Sequence, residues 1–160
     1  MKKSAVISKG GQYRFLLERQ WGDGQRATFV MLNPSTADAG NDDPTIRRCI
    51  GYAKRWGYGK LAVVNLFSYR STDPRELRNV SDPIGPQTDD YLIDVGAESA
   101  VVVAAWGNHG KLYRRDQCVR GLFERAGIPL HYLRLTDEGQ PWHPLYLPAA
   151  LSPQLWEAYR

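Results

Sequence analysis

The sequence predicts one α/β domain over residues 1–160, folded as a three-layer α/β/α sandwich around a mainly parallel four-stranded sheet with an N-terminal antiparallel hairpin. Two observations predict this class: short apolar runs alternate with amphipathic segments of helical length, and each apolar run stops abruptly at a polar turn. Such an alternation favours parallel pairing through right-handed crossovers, which place helices on both faces of the sheet. A chain of 160 residues is long enough to bury one core of this kind.

The strands of the predicted sheet are the most apolar runs of the chain. They cover residues 27–32, 60–67, 100–105 and 130–135. The first of them is apolar without alternation through Phe29-Val30-Met31-Leu32, which is typical of a strand buried on both faces. Ahead of it, residues 5–7 and 13–17 flank the turn signal Lys9-Gly10-Gly11, so we expect a hairpin that extends or covers an edge of the sheet.

Helices are predicted between and after these strands. Asp43-Pro44 marks a helix start, with a carboxylate as N-cap and proline at the first helical position, and Gly57 closes this helix. Further helices are predicted at residues 87–97, 111–126 and 152–159. The Pro- and Asp-rich segment 68–86 is a long loop, and loops of this length tend to be functional or mobile.

Composition and charge exclude several classes of protein. The hydrophobic fraction of 42% and the charged fraction of 24% are those of a globular domain, and the chain contains no signal-like or membrane-spanning apolar run. A formal charge of +4 is compatible with a polyanionic partner, although an ordinary solvated surface explains it equally well. Cys49 and Cys118 fall among apolar residues of predicted helices. We therefore expect buried free thiols and a cytoplasmic protein without membrane contact.

Polar residues stand at the ends of the predicted strands. Asn33-Pro34-Ser35 follows the first strand, Asn65 ends the second, Trp106-Gly107 ends the third, and His143-Pro144 follows the fourth. The carboxyl ends of parallel strands meet at one edge of a sheet, and ligands of open α/β sheets bind there. We therefore predict that these residues form one site.

Each of these residues also has a structural interpretation. The amides of Asn33 and Asn65 either hold a water or read a base edge, or else cap a turn. Trp106-Gly107 is either a tight turn or a ligand-bearing loop, and a lone histidine such as His143 is more often structural than catalytic. Asp38 orients a water or a cation in the functional interpretation. The spacing of His, Asp and Glu matches no known metal site, and neither a P-loop nor a serine-hydrolase elbow occurs.

One set of motifs is similar to a bacterial and phage family classed as a domain of unknown function. The set covers nearly the whole chain and comprises residues 31–38 (MLNPSTAD), Asp43-Pro44-Thr45, Asn65-Leu66-Phe67, Ala105-Trp106-Gly107 and His143-Pro144-Leu145. More loosely, the same positions resemble the uracil-DNA glycosylase superfamily. There the first strand ends in a motif such as GINPG or GQDPY, a later strand ends in asparagine, another ends in WG, and a closing loop reads HPS. The corresponding elements follow in the same order here.

The resemblance to uracil-DNA glycosylases implies roles for the matching residues. Asn33 would position the attacking water, Asn65 would read the Watson–Crick edge of an extruded pyrimidine-like base, and His143 would donate to the base oxygen on which negative charge builds. Asp38 joins Asn33 and His143 as a catalytic residue in this interpretation. The remaining substrate-binding residues would be Pro34, Ser35, Phe67, Trp106, Gly107 and Leu145, with Phe67 or Trp106 as the ring that stacks on the base.

Two departures from the superfamily pattern bear on the expected activity. Leu145 stands where the superfamily has serine, so a phosphate or base contact is missing. Asn33 stands where other branches have aspartate, which suggests weaker chemistry or a different base. We expect a monomeric, DNA glycosylase-like hydrolase that cleaves the N-glycosidic bond of a damaged or modified base in DNA or a nucleotide, with neither a metal nor another cofactor. Two alternatives stay open: a non-catalytic nucleotide- or nucleic-acid-binding module, and a metal-assisted nucleotide hydrolase using Asp38 and Asp42.

Overall fold

The computed structural model describes residues 1–157, which form one mixed sheet of seven strands with helices packed against it. In chain order the strands are β1 (Lys2–Ile7), β2 (Arg14–Gln20), β3 (Arg26–Met31), β4 (Lys60–Asn65), β5 (Val101–Ala104), β6 (His131–Tyr132) and β7 (Gln154–Leu155). Their order across the sheet is β1-β2-β4-β3-β5-β6-β7. The predicted α/β class is confirmed, and the sheet is a mixed one of seven strands.

The centre of the sheet is parallel. β3 pairs in parallel with β4 on one side and with β5 on the other, and β5 pairs in parallel with β6. Residues 27–31 of β3 are all buried, as expected for a strand covered on both faces. Because β3, β4 and β5 run in the same direction, their carboxyl ends lie at one edge of the sheet.

Antiparallel strands complete both margins of the sheet. β1 and β2 form the N-terminal hairpin that the sequence predicts, and β2 also pairs antiparallel with β4 through Leu17 to Gln20. At the other margin β7 pairs antiparallel with β6. The hairpin therefore extends the sheet directly instead of covering its edge.

Three α-helices connect and cover the strands of the described chain: α1 (Pro44–Arg55), α2 (Thr88–Ala97) and α3 (Arg115–Arg125). The predicted start of α1 is confirmed. The Asp43 side chain accepts a hydrogen bond from the Ile46 amide at 2.9 Å, and Pro44 occupies the first helical position. Among residues 1–157, no helix has both the length and the apolarity needed to cross a bilayer.

The helices lie on opposite faces of the sheet. On one face the apolar side of α1 packs against β3, β4 and β5 through Ile46, Cys49, Ala53, Phe29, Val63 and Val103. On the other face α2 and α3 pack through Leu92, Val95, Val119, Phe123, Val30, Ala62 and Val102. The connections that leave β3 and β5 therefore diverge to opposite faces. Such a divergence opens a crevice at the carboxyl ends of the two strands.

The structure differs from the predicted elements towards the C-terminus. The strand predicted at 130–135 is reduced to the two residues of β6, and the helix predicted at 152–159 is replaced in its described part by β7. β7 is exposed and only two residues long, so the sequence carries no apolar alternation from which this strand could be predicted. The predicted helix end at residue 159 lies outside the described residues.

The helix predicted at 111–126 begins later than expected. Residues Asn108–Arg114 form a 3₁₀ segment that is broken at Leu112 and Tyr113, and α3 starts only at Arg115. Cys118 consequently lies on the exposed side of α3, so the prediction that its thiol is buried was wrong. Cys49 is a buried free thiol, as predicted.

Candidate functional site

A cleft of about 350 Å³ opens at the carboxyl edge of the sheet, bounded on one side by the N-terminal residues of α1. It lies where the connections after β3 and β5 diverge. Most residues that the sequence analysis selected line this cleft: Asn33, Pro34, Ser35, Asn65, Trp106, Gly107, His143 and Leu145. Asp38 and Phe67, which the sequence analysis also selected, are not part of the lining.

Asn65 is the most unusual polar residue of the cleft. It ends β4, is 1% exposed, and lies on the same face of the strand as Val63, towards α1. Neither its Nδ2 nor its Oδ1 has a hydrogen-bond partner in the described chain. Buried amides are nearly always paired in folded proteins, and an unpaired one costs about 1–3 kcal/mol. The Asn65 amide therefore presents one donor group and one acceptor to whatever fills the cleft.

Asn33 has a structural role that also fixes the direction of its carbonyl oxygen. Its Nδ2 donates to the carbonyl oxygens of Ser71 at 3.0 Å, Pro34 at 3.2 Å and Tyr69 at 3.4 Å. Carbonyl oxygens only accept hydrogen bonds, so they define which end of the amide is the nitrogen. The Oδ1 atom points away from them and keeps its lone pairs for a water or a ligand.

His143 is held in one tautomer. Its Nδ1 accepts a hydrogen bond from the Leu145 amide at 3.2 Å, so the neutral ring carries its proton on Nε2. Burial lowers the pKa of His143 below its ordinary value of 6.5, and the charge of Asp43 partly opposes this shift. The imidazole is therefore neutral at pH 7 and offers an Nε2–H donor.

The segment that follows His143 is anchored to α1. Arg48 and Tyr52 donate from their side chains to backbone carbonyls of the segment, with Tyr52 Oη 2.7 Å from the Pro148 oxygen. One turn later, Trp56 Nε1 donates to the Leu151 carbonyl at 3.0 Å. The chain after His143 is consequently tied to α1, while just before it the Trp142 amide donates to the Arg134 carbonyl at 2.8 Å.

Trp106 and Gly107 form a rigid wall. Trp106 is 2% exposed, and its Nε1 donates to Gln140 Oε1 at 2.8 Å, which fixes the indole ring. Gly107 has a φ of 71°, a conformation that favours glycine. The ring also requires a glycine at position 110, because a Cβ there would lie 2.2 Å from Trp106 Cδ1. This wall leaves little room for movement of the indole towards a ligand.

Asp38, Phe67 and Asp42 lie away from the cleft and are engaged elsewhere. The Asp38 carboxylate accepts from the backbone amides of Gly40 and Asn41, and these bonds lower its pKa. Phe67 is fully buried in the apolar cluster under α2 and α3. Asp42 pairs with the Arg19 and Lys3 side chains. None of the three is placed to contact a ligand in the cleft.

The cleft also contains residues that sequence reasoning did not select. Arg14 lines it from the start of β2, and Asp43, assigned only as a helix cap, lines it from the start of α1. Ser71 and Thr72 bring the loop 68–86 to the same cleft. The one signal for Arg14 was a lone cation next to the apolar run Phe15-Leu16-Leu17.

Comparison with known proteins gives a family but no activity. The family model described as "Protein of unknown function (DUF1643)" matches residues 14–145, which include every residue of the cleft. Neither a curated protein nor a solved structure matches the chain. Since the match spans most of the chain, the protein belongs to the DUF1643 family of proteins of unknown function.

Proposed function

We propose that the protein is a DNA glycosylase-like hydrolase that cleaves the N-glycosidic bond of a damaged or modified pyrimidine-like base. The observation that carries the proposal is the buried, unpaired amide of Asn65 in the cleft. The Watson–Crick edge of a pyrimidine presents a donor and an acceptor side by side, which is the complement of a primary amide. Binding such a base would satisfy both Asn65 atoms at once.

His143 supplies the second element of the proposed chemistry. When the glycosidic bond breaks, its electron pair leaves with the base, and negative charge builds on the base oxygens. The Nε2–H of neutral His143 would donate to such an oxygen. A donor that is already oriented by the Leu145 amide stabilises this charge without rearranging.

Asn33 supplies the third element. Its Oδ1 would accept a hydrogen bond from the water that adds to the anomeric carbon as the base departs. The proton that this water finally loses balances the proton that the base anion gains, so the reaction is a hydrolysis. The three side chains come from β4, from the turn after β3 and from the C-terminal segment, and all line one cleft.

The proposal extends to the fold, the partners and the location of the protein. The parallel strands β4, β3, β5 and β6 with helices on both faces would correspond to the three-layer core of a uracil-DNA glycosylase-like domain. The enzyme would act as a cytoplasmic monomer on DNA or a nucleotide. Leu145 lines the cleft next to Tyr146, which is 87% exposed, and together they would fill the gap left by the extruded base.

A metal-assisted hydrolase with Asp38 and Asp42 has less support. Asp38 is committed to backbone amides, and Asp42 to Arg19 and Lys3. Within residues 1–157, no group of three His, Cys, Asp or Glu side chains is arranged to hold a metal ion. The non-catalytic binding module uses the same cleft and differs from the proposal only in the absence of base release.

Base release from defined substrates tests the proposal. The protein is incubated with single-stranded and duplex oligonucleotides that carry uracil or modified pyrimidines, and abasic sites are detected by alkaline cleavage. We expect release that is lost in Asn33→Ala, Asn65→Ala and His143→Ala but kept in Asn79→Ala, a change at an exposed asparagine outside the cleft. No release from any substrate would refute the hydrolase. Base binding that survives Asn33→Ala but not Asn65→Ala would then identify a binding module.

A further inference from the structure

The buried arginines of the chain differ in how their charge is compensated. Within residues 1–157, the buried arginines are Arg14, Arg19 and Arg115, with 2%, 1% and 3% exposure. Arg19 pairs with Asp42 at 2.8 Å, and Arg115 pairs with Asp89. Buried charges are normally paired, because removing an ion from water is costly. Arg14 has no carboxylate within ion-pair distance in the described chain, and it is the one of the three that lines the cleft.

The guanidinium of Arg14 has one edge unused. Its Nη1 donates to the Ala37 carbonyl at 3.1 Å, and its buried Nε has no partner in the described chain. The side chain makes no other hydrogen bond there. The Nε–Nη2 edge, which is the edge that binds oxyanions with two parallel hydrogen bonds, is therefore without a partner in the described chain. Burial lowers the pKa of Arg14 to about 10, so the group still carries its charge at neutral pH.

Charged groups of both signs lie near Arg14. The N-terminal residues of α1 line the same cleft, and a helix N-terminus carries a partial positive charge. The charge of Asp43 opposes the effect of burial on the pKa of Arg14 without forming an ion pair with it, whereas Arg70 and Arg19 act in the same direction as burial. Asp43 is already occupied by two backbone amides, those of Ile46 and Ala37. The Asp43 carboxylate is therefore committed to backbone amides, and Arg14 keeps no anionic partner of its own among the described residues.

We propose that the unpaired edge of Arg14 is an anion subsite of the cleft, and that it binds a phosphate group of the ligand whose base contacts Asn65. The identity of the anion as a nucleotide phosphate rests on the proposed function, whereas anion binding by Arg14 does not. The phosphate comes either from a free nucleotide or from a DNA strand next to the extruded base. Both sources offer the same oxygens to the guanidinium fork.

An NMR titration tests the subsite without any assumption about the base. The Nε–H signals of the buried arginines are followed in the full-length protein while inorganic phosphate is added to a chloride buffer. We expect a saturable shift of the Arg14 signal and none of the Arg19 and Arg115 signals, whose guanidinium groups are already paired. An Arg14 signal that stays unchanged throughout the titration would overturn the subsite. This measurement uses the unmodified protein, so it does not depend on a variant folding.

Ligand pairs then test what the subsite recognises. Charge-assisted hydrogen bonds to a phosphate contribute about 1.5–3 kcal/mol, so 2′-deoxyuridine 5′-monophosphate should bind at least about tenfold more tightly than 2′-deoxyuridine. Arg14→Gln should abolish this ratio, Arg14→Lys should keep part of it, and Arg125→Gln, at an exposed position on α3, should leave it unchanged. Equal ratios in the wild type and Arg14→Gln would exclude the phosphate of a free nucleotide, and oligonucleotide binding that is also unchanged in Arg14→Gln would contradict any nucleotide phosphate at Arg14.

A deoxyuridine-containing oligonucleotide separates the two sources of phosphate. If Arg14→Gln weakens the oligonucleotide and the mononucleotide alike, a terminal phosphate suffices; if it weakens only the oligonucleotide, the subsite binds a strand phosphate. The failures of the two proposals are distinguishable. A phosphate-dependent Arg14 signal without base release refutes the hydrolase and keeps the subsite. Base release that requires Asn65, together with an Arg14 signal that does not change on adding phosphate, supports the hydrolase and refutes the subsite.

Discussion

The side-chain nitrogen of Asn33 lies 3.0 Å from the carbonyl oxygen of Ser71, and the Ser71 amide returns a hydrogen bond of 2.9 Å to the Pro34 carbonyl. These two bonds join the turn after β3 to the long loop 68–86. The loop is thereby held over the carboxyl edge of the sheet, where Ser71 and Thr72 reach the cleft. One asparagine thus shapes the cleft with its nitrogen, while its oxygen makes no hydrogen bond within the described chain.

Asn33→Asp should destabilise the protein by about 1–3 kcal/mol at neutral pH. A carboxylate cannot donate to the carbonyls of Ser71, Pro34 and Tyr69, and it repels them. Urea denaturation at pH 7 measures the loss, and Asn79→Asp at an exposed position is the control. The loss should shrink in acid, where the aspartic acid is protonated and again donates. Wild-type stability of Asn33→Asp at pH 7 would mean that these bonds contribute nothing.

Asn65→Leu should leave the unliganded protein at least as stable as the wild type. The amide of Asn65 has no partner in the described chain, so an apolar side chain of similar size removes an unpaired polar group. The free energy of unfolding from urea titrations checks this expectation, with Leu77→Ala as a core variant that should cost about 2–5 kcal/mol. A loss of that size in Asn65→Leu would show that the amide has a structural partner.

The stability of the protein should fall as the pH drops below about 6.5, in part because of His143. Burial places the pKa of His143 below 6.5 in the folded chain, so the unfolded chain binds a proton more readily and stability rises with pH through this window. His143→Gln should remove this part of the pH dependence, measured as the urea midpoint at pH 5 and at pH 7.5.

Asp43→Asn provides a matched test of the electrostatics around His143. Asparagine caps helices as well as aspartate does, but it lacks the charge that opposes the shift of His143. The pKa of His143, followed by NMR, should fall further in Asp43→Asn. A higher pKa in this variant would contradict the assigned cause.

Gly110→Ala should destabilise the protein by about 1–3 kcal/mol through overpacking. A Cβ at position 110 would lie 2.2 Å from Trp106 Cδ1, and the indole is fixed by its bond to Gln140. Gly51→Ala is a matched control in the exposed part of α1, where a Cβ has no heavy atom within 4 Å. That change should stabilise the protein by about 0.5–1 kcal/mol because alanine favours a helix. The thermal unfolding midpoints of the two variants test this prediction. Similar shifts in both midpoints would rule out a specific clash with Trp106.

Local sequence signals predicted the elements that place the cleft. The apolar runs identified β3, β4 and β5, and the Asp43-Pro44 signal gave the start of α1. The convergence of Asn33 and Asn65 then followed from the geometry of parallel strands, whose carboxyl ends share one edge. Each of these inferences uses residues that are close together along the chain.

The sequence could not predict contacts that depend on pairing between distant segments. Arg14 reaches the cleft because β2 pairs antiparallel with β4, and no local pattern specifies that partner. Phe67 was expected to bind substrate but does not line the cleft. The alternation of side chains between the two faces of the sheet stops where β4 ends, at Asn65. Beyond that point the chain turns, and Phe67 packs under α2 and α3.

The cleft lies between the edge of the sheet on one side and the C-terminal segment anchored to α1 on the other. His143 and Leu145 lie on the segment whose following residues are bound by Tyr52 and Trp56 of α1, whereas Asn33 and Asn65 lie at the carboxyl edge of the sheet. The distance between the two sides is set by the side chains packed between helix and sheet near the opening, Met31 and Ile46 among them. Substitutions that change the volume of these side chains would alter the size of molecule that the protein accepts without altering the polar groups of the cleft.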